Sequence, residues 1–298
     1  MHLKYDEPAR NSGVYVISAC GFDSIPNDLG HVVLAQSMEG DVNSVESFLK
    51  LIIPPTLGTK INYGTWQSAI HMFHNYGEIE ALHQKLSSEK LPESLPKLRS
   101  RGLLSYSEEA GAWVYPFVGP DKSIMGRTER ARHFLDGERP AQVETYSIAP
   151  FGLISGVFML FAMGFMKLMV STRFGLGLLE NHPRLFTMGA VSKEGPSLET
   201  AQNTNFKITL VGKGWKTKAA KHDTDPDREV TVKVSGKNVG YGSTSECMVQ
   251  AAIMIVKERE KMPKSGGVYT PGYAFANTSL TKRLSENGVP FEVTVKDL

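Results

Sequence analysis

Cysteine is nearly missing from this chain of 298 residues: Cys20 and Cys247 stand far apart and form no C-x-x-C pair. That excludes a stapled secreted scaffold and agrees with a reducing compartment. An excess of charge of either sign is missing too, because 33 basic and 31 acidic residues leave a formal net charge of +2. Such a balance gives no general attraction for phosphate backbones and excludes nucleic acid as a partner. No G-x-G-x-x-G follows a strand pattern, and there is no P-loop and no G-x-S-x-G elbow. The chain therefore carries no pyrophosphate cradle and no serine-hydrolase nucleophile of known pattern. His71, His74 and His83 are close in sequence, but no cysteine or acidic motif completes a ligand set, so no metal is expected. The opening MHLKYDEPARNSG has Asp6 and Glu7 and no apolar core, unlike a signal or transit peptide. Asn277-Thr278-Ser279 is a glycosylation sequon that reads better as a helix start.

What is present is a mixture of strand and helix patterns, which predicts an α/β or α+β fold. Residues 14–18 form a β-branched run, followed by a loop and then by Pro26, a residue suited to the first turn of a helix that ends near Gly40. An extended stretch from Val42 stops at Pro54-Pro55. Trp66, Ala69, Ile70 and Phe73 recur at the spacing of a core-facing helix. Residues 87–126 are rich in Pro, Gly, Ser and charge and predict loops with short strands, such as one over 112–118. Further on, 206–211 and 229–234 alternate as a hairpin joined by the polar stretch 213–228. Ser243-Thr244-Ser245-Glu246 has the form of a capping box, opening a helix expected to bury Met248, Ala251, Ala252, Ile255 and Val256. A short helix over 278–287 and a strand over 289–295 complete the chain.

Residues 148–166 include nineteen positions without a charge, and as a helix they would extend about 28 Å, close to the thickness of a bilayer's hydrocarbon. The apolar character continues past Lys167 and Arg173 to Leu179, which predicts a helical hairpin over 148–179. Three placements suit it: a buried core helix, a spanning helix, or an apolar hairpin entering one leaflet. For the last of these, Phe151, Phe158, Phe161 and Phe165 would enter the lipid while Lys167 reaches back to head groups.

The loop after the first strand, Cys20-Gly21-Phe22-Asp23-Ser24, sits where open α/β sheets bind ligands. These five residues are the candidates for lining a cofactor crevice. The other reading is a tight turn whose Asp23 or Ser24 caps the following helix.

From Cys20 to Gly30 the run CGFDSIPNDLG resembles the signature of the saccharopine dehydrogenase-like oxidoreductases, relatives of the mycobacterial trans-acting enoyl reductases. Further matches lie at Val45–Phe48, Gly64–Ala69, the apolar segment, Lys193–Pro196 and Gly266–Gly272. The resemblance implies an α/β fold in two parts. Residues 1–40 would be the remnant of a Rossmann dinucleotide-binding domain, its last strand-loop-helix. Residues 41–298 would be a mixed α/β substrate or dimerisation domain with the apolar helical insertion 148–179. NAD(P) is the implied cofactor of full-length relatives. None is expected for this chain as given, since a full-length member would carry the glycine-rich fingerprint upstream of Met1. The resemblance also implies a lipid surface as partner, a homodimer, a small-molecule substrate of unknown identity, and a place on lipid droplets or a cytosolic membrane face, with the mitochondrion as alternative. Two functions follow: an oxidoreductase of lipid or glycolipid metabolism, inactive or incomplete as given, or a non-catalytic scaffold on a lipid-droplet or membrane surface.

Overall fold

The computed structural model describes residues 1–55, 58–219, 222 and 224–298. Helix α1 (His2–Asn11) leads into the short strand β1 (Tyr15–Ile17), and α2 (Ile25–Met38) and the long strand β2 (Val42–Ile52) follow. Helices α3 (Tyr63–His74) and α4 (Tyr76–Leu86) precede β3 (Ser105–Ser107), β4 (Ala112–Pro116), α5 (Asp121–Asp136) and β5 (Gln142–Ile148). A helical stretch comes next: α6 (Gly152–Val170), α7 (Arg173–Asn181), α8 (Pro183–Phe186) and α9 (Leu198–Asn203). The hairpin β6 (Asn205–Gly214) and β7 (Arg228–Gly236) then leads through one turn of π-helix (Val239–Ser243) into α10 (Thr244–Lys257). The chain closes with β8 (Gly267–Tyr269), α11 (Pro271–Phe275), α12 (Leu280–Glu286) and β9 (Phe291–Asp297). The fold is the mixed α/β class that the sequence predicts.

Seven strands form one sheet in the order β3-β4-β5-β2-β6-β7-β9. Its middle strand β2 runs parallel to β5 and antiparallel to β6. Alternation fixes which face is buried: Phe206, Ile208 and Leu210 on β6 and Val230, Val232 and Val234 on β7 all point into the core. Helix α2 covers that face with Leu29, Leu34 and Met38, and it is buried along most of its length. Gly212 permits the close approach, because a Cβ there would stand 2.3 Å from a Leu34 methyl.

β1 and β8 make a separate parallel pair, with Tyr15 opposite Gly267 and Ile17 opposite Tyr269. The strand expected to belong to a Rossmann remnant over 1–40 thus takes its partner from 267–269, while the helix after it covers the larger sheet. A smaller core of Ile70, Val170 and Leu179 joins α3, α6 and α7.

Two predicted elements differ from what forms. Residues 121–126, read as loop, begin α5, whose buried side mixes Ile124 and Met125 with the polar Asp121, Thr128 and Glu129 and so offers a weak apolar stripe. In α10 the buried residues are Cys247, Gln250, Ala251 and Met254, whereas Met248, Ala252 and Val256 face solvent. No capping box forms at its start. Ser243 Oγ donates to Lys237 O instead, and Glu246 accepts from Gln250. The 213–228 connection includes residues 220, 221 and 223, which lie outside the described residues.

Candidate functional site at the end of the parallel pair

β1 and β8 run in the same direction, so the loops leaving them lie side by side. In the first loop Ala19 adopts φ of 60°, a left-handed conformation uncommon for a residue with a Cβ. The turn then folds on itself: Ser24 N donates to Ala19 O at 3.1 Å and Ile25 N to Gly21 O at 3.0 Å. Phe22 packs its ring 4.6 Å from that of Phe206, tilted by 56°, and a Cβ on Gly21 would sit 3.0 Å from the Thr244 methyl. Thr244 directly follows the π-helical turn, a geometry often found at functional sites.

All five residues singled out in the sequence therefore sit in one tight turn, with different surroundings. Burial, helped by the charge of Asp28, pushes the Cys20 thiol up to about 11, so it is not a thiolate near neutral pH. Ser24 is fully buried and makes no side-chain cap; its hydroxyl has no hydrogen-bond partner. Asp23 is solvent-accessible, yet neighbouring protein still raises its carboxyl above the usual range.

Behind this turn lies a buried polar network invisible to an apolar pattern search. Asp28 accepts from Thr128 Oγ1 at 2.7 Å and from Gly272 N at 2.6 Å, and Thr128 is 2.6 Å from Thr270. Gly272 is required there, since a Cβ would come within 2.6 Å of the Asp28 carboxyl carbon. Asn27 donates to Asp121 at 2.7 Å and accepts from Ser47 at 2.8 Å. The second oxygen of Asp121 has no partner, although the nearby Ser24 hydroxyl lowers its pKa somewhat. Burial dominates and pushes the Asp121 carboxyl up to about 6. Deeper still, His31 Nε2 stands 2.7 Å from Glu129, which also accepts from Arg132 at 2.9 Å and from Ala141 N. Burial opposes ionisation of Glu129, but His31, Arg132 and the amide outweigh it and hold the carboxyl at about 2.

Whether this end of the molecule can cradle a dinucleotide is decided by its free amides. The first turns of α2 are buried and contain Pro26, which has no N–H. The Gly272 amide at the start of α11 is already bound by Asp28. These two positions therefore offer no N–H to a pyrophosphate. Among the described residues, cavities of about 880 and 210 Å³ occur whose walls do not include residues 20–24. The larger opens between α2, α5 and the stretch 92–94; the smaller lies between α1, α5 and β8.

A second feature is the predicted helical hairpin, which forms as α6 and α7. Of α6 only Gly156 and Val170 are buried, against Leu104 and α3 respectively. Phe151 is 85% exposed, Ile154 83%, Phe161 76%, Leu168 70% and Phe174 77%. Phe158 and Phe165 are also exposed, and Lys167 reaches over the Tyr76 ring. Within this chain the helix is therefore not an interior one. The nearby histidines are committed elsewhere, His71 to Glu180, His74 to Val170 O and His83 to Ser123. Among the described residues no cluster suited to a metal ion occurs.

No protein-family model matches the chain. It is 36% identical to a saccharopine dehydrogenase-like oxidoreductase of Rattus norvegicus, over 98% of this chain and 68% of that one. A lipid droplet localized protein of Caenorhabditis elegans is 31% identical, over 98% of this chain and 70% of its own length. An Arabidopsis thaliana protein named "probable mitochondrial saccharopine dehydrogenase-like oxidoreductase" is 30% identical, over 99% and 70%.

Proposed function

Because the chain belongs to the saccharopine dehydrogenase-like oxidoreductases, we propose that it serves lipid metabolism as a peripheral protein of a lipid surface, inserted by α6 and α7 into one leaflet. The observation that carries this reading is the outward row of Phe151, Ile154, Phe161, Leu168 and Phe174. Water is a poor solvent for such a row. Burying five large apolar side chains is worth on the order of 10 kcal/mol before the cost of immobilisation. One side of α6 rests on Leu104, α3 and α7, which favours lying in a leaflet over spanning a bilayer. Lys167 and Arg173, at the end of α6 and the start of α7, stand where head groups would meet them.

The similarity to the worm protein favours the lipid droplet, and that to the plant protein keeps the mitochondrion as alternative. A second reading, a scaffold without catalysis of its own, draws support from the Gly272 amide already bound by Asp28 and the un-ionised Cys20. The substrate class is a small molecule or lipid reached from the surface, and a homodimer suits this arrangement. Fractionation of cells expressing the tagged chain tests the surface reading, with recovery in the droplet or membrane fraction as the expected result. A wholly soluble wild type would sink it.

A further inference from the structure

We infer that the small cavity between α1, α5 and the carboxyl end of β8 is an anion site that takes a phosphoryl group. Its walls include His2, Arg10, Arg127, Arg130 and Thr270, and none of its lining residues is Asp or Glu. Three guanidinium groups around about 210 Å³ give a concentrated positive field in a space that admits a phosphoryl or diphosphoryl group but not a whole dinucleotide.

Two of the arginines have other anchors. Arg10 pairs with Asp6 at 2.8 Å and lies over the Tyr269 ring, and Arg130 donates to Glu89 O and lies over Phe134. Arg127 has no such anchor. Among the described residues it has no ion pair with a carboxylate, and its one side-chain hydrogen bond goes to His2 Nδ1 at 3.2 Å. That same nitrogen lies 3.1 Å from Val268 O. A neutral imidazole nitrogen serves only one of these contacts: with a proton it donates to the carbonyl, without one it accepts from Arg127. The two carboxylates whose charge reaches Arg127 are occupied, Asp28 by Thr128 and Gly272, Asp6 by Arg10 and Val268 N. Loss of solvation accordingly lowers the Arg127 pKa, the mark of a cation short of a counter-charge. An Arg fork facing a cavity with further donors matches the bidentate geometry of phosphate oxygens.

The test uses the 298-residue chain carrying Phe158→Asp and Phe161→Asp, so that the apolar hairpin contributes nothing, in phosphate-free buffer. Inorganic pyrophosphate and phosphate are titrated by calorimetry and by thermal melting. Saturable binding with a rise in Tm is expected, weakened by about tenfold or more in Arg127→Gln and to a lesser degree in Arg130→Gln. Without ligand, Arg127→Gln should melt no lower than its parent, because it removes an unmatched cation. Vesicles of phosphatidylcholine with phosphatidic acid separate the sources: binding that inorganic phosphate displaces marks a lipid head group, and binding of the soluble anions alone marks a free phosphoryl compound. No saturable binding by the parent, or equal binding by both arginine variants, overturns the site. So does an Arg127→Gln chain that melts lower yet keeps the full pyrophosphate shift.

Discussion

Asp121 and Glu129 lie two turns apart on α5, both almost fully buried, yet their carboxyls move in opposite directions. Asp121 lacks a cation and is pushed up to about 6, so the folded state holds its proton more tightly than the unfolded chain does. Its contribution is fully present below the unfolded value of 3.8 and is lost as pH rises through about 6, a penalty of about 3 kcal/mol at neutral pH. Asp121→Asn should therefore stabilise the protein at pH 8, and the gain should vanish near pH 4 when urea unfolding is followed at both values. The asparagine keeps an oxygen for Asn27 and places an N–H where the Ser24 hydroxyl lacks a partner. Glu129 has the reverse sign. Held at about 2, it stabilises above its unfolded value of 4.5 and loses about 3 kcal/mol as pH falls from there to 2. Glu129→Gln should flatten the acid limb of a Tm-against-pH curve; an unchanged limb would mean that the His31 pair is not what acid breaks. None of this was legible in the sequence. His31, Glu129 and Asp121 belong to no motif, and only the fold brings α2, α5 and the residue before β5 together around them.

Helices α6 and α7 announced themselves by length and lack of charge, because a uniformly apolar run needs no partner to be recognised. The hairpin β6–β7 was equally plain from alternation. Helix α5 was not, since its buried side mixes Ile124 and Met125 with Asp121, Thr128 and Glu129, and pattern reading looks for apolar stripes. In α10 the apolar residues outnumber the space available, and Met248 and Val256 were assigned inward although they point out. For the hairpin the expected behaviour is sharp. Phe158→Asp with Phe161→Asp should move the protein from the floating or pelleted lipid fraction into the supernatant, with little change in Tm, because neither ring is buried. A matching pair of aspartates at Ile70 and Leu179 would unfold the small core instead, and the comparison distinguishes detachment from misfolding.

The candidate crevice was legible as a place and not as a machine: residues 20–24 do gather at the end of a parallel strand, but Pro26 has no N–H to offer and the Gly272 amide is taken by Asp28. We expect NADPH titrated into the 298-residue chain to give no saturable change in nicotinamide fluorescence in the micromolar range, and no advantage over inorganic pyrophosphate at the small cavity. Saturable micromolar binding would reveal a dinucleotide site that the two strand-to-helix turns do not provide. The pairing of β1 with β8 has one more effect. A ribosome makes Tyr15–Ile17 about 250 residues before Gly267–Tyr269, so over that stretch of translation β1 lacks the strand it pairs with, and Asp28 has no Gly272 amide to receive. Closure of this pair waits for everything between its two strands to be made, and it is slow by the loop it must close. Until then the apolar hairpin, made at mid-chain, is already out of the exit tunnel, and a lipid surface can capture it before the body behind it has finished folding.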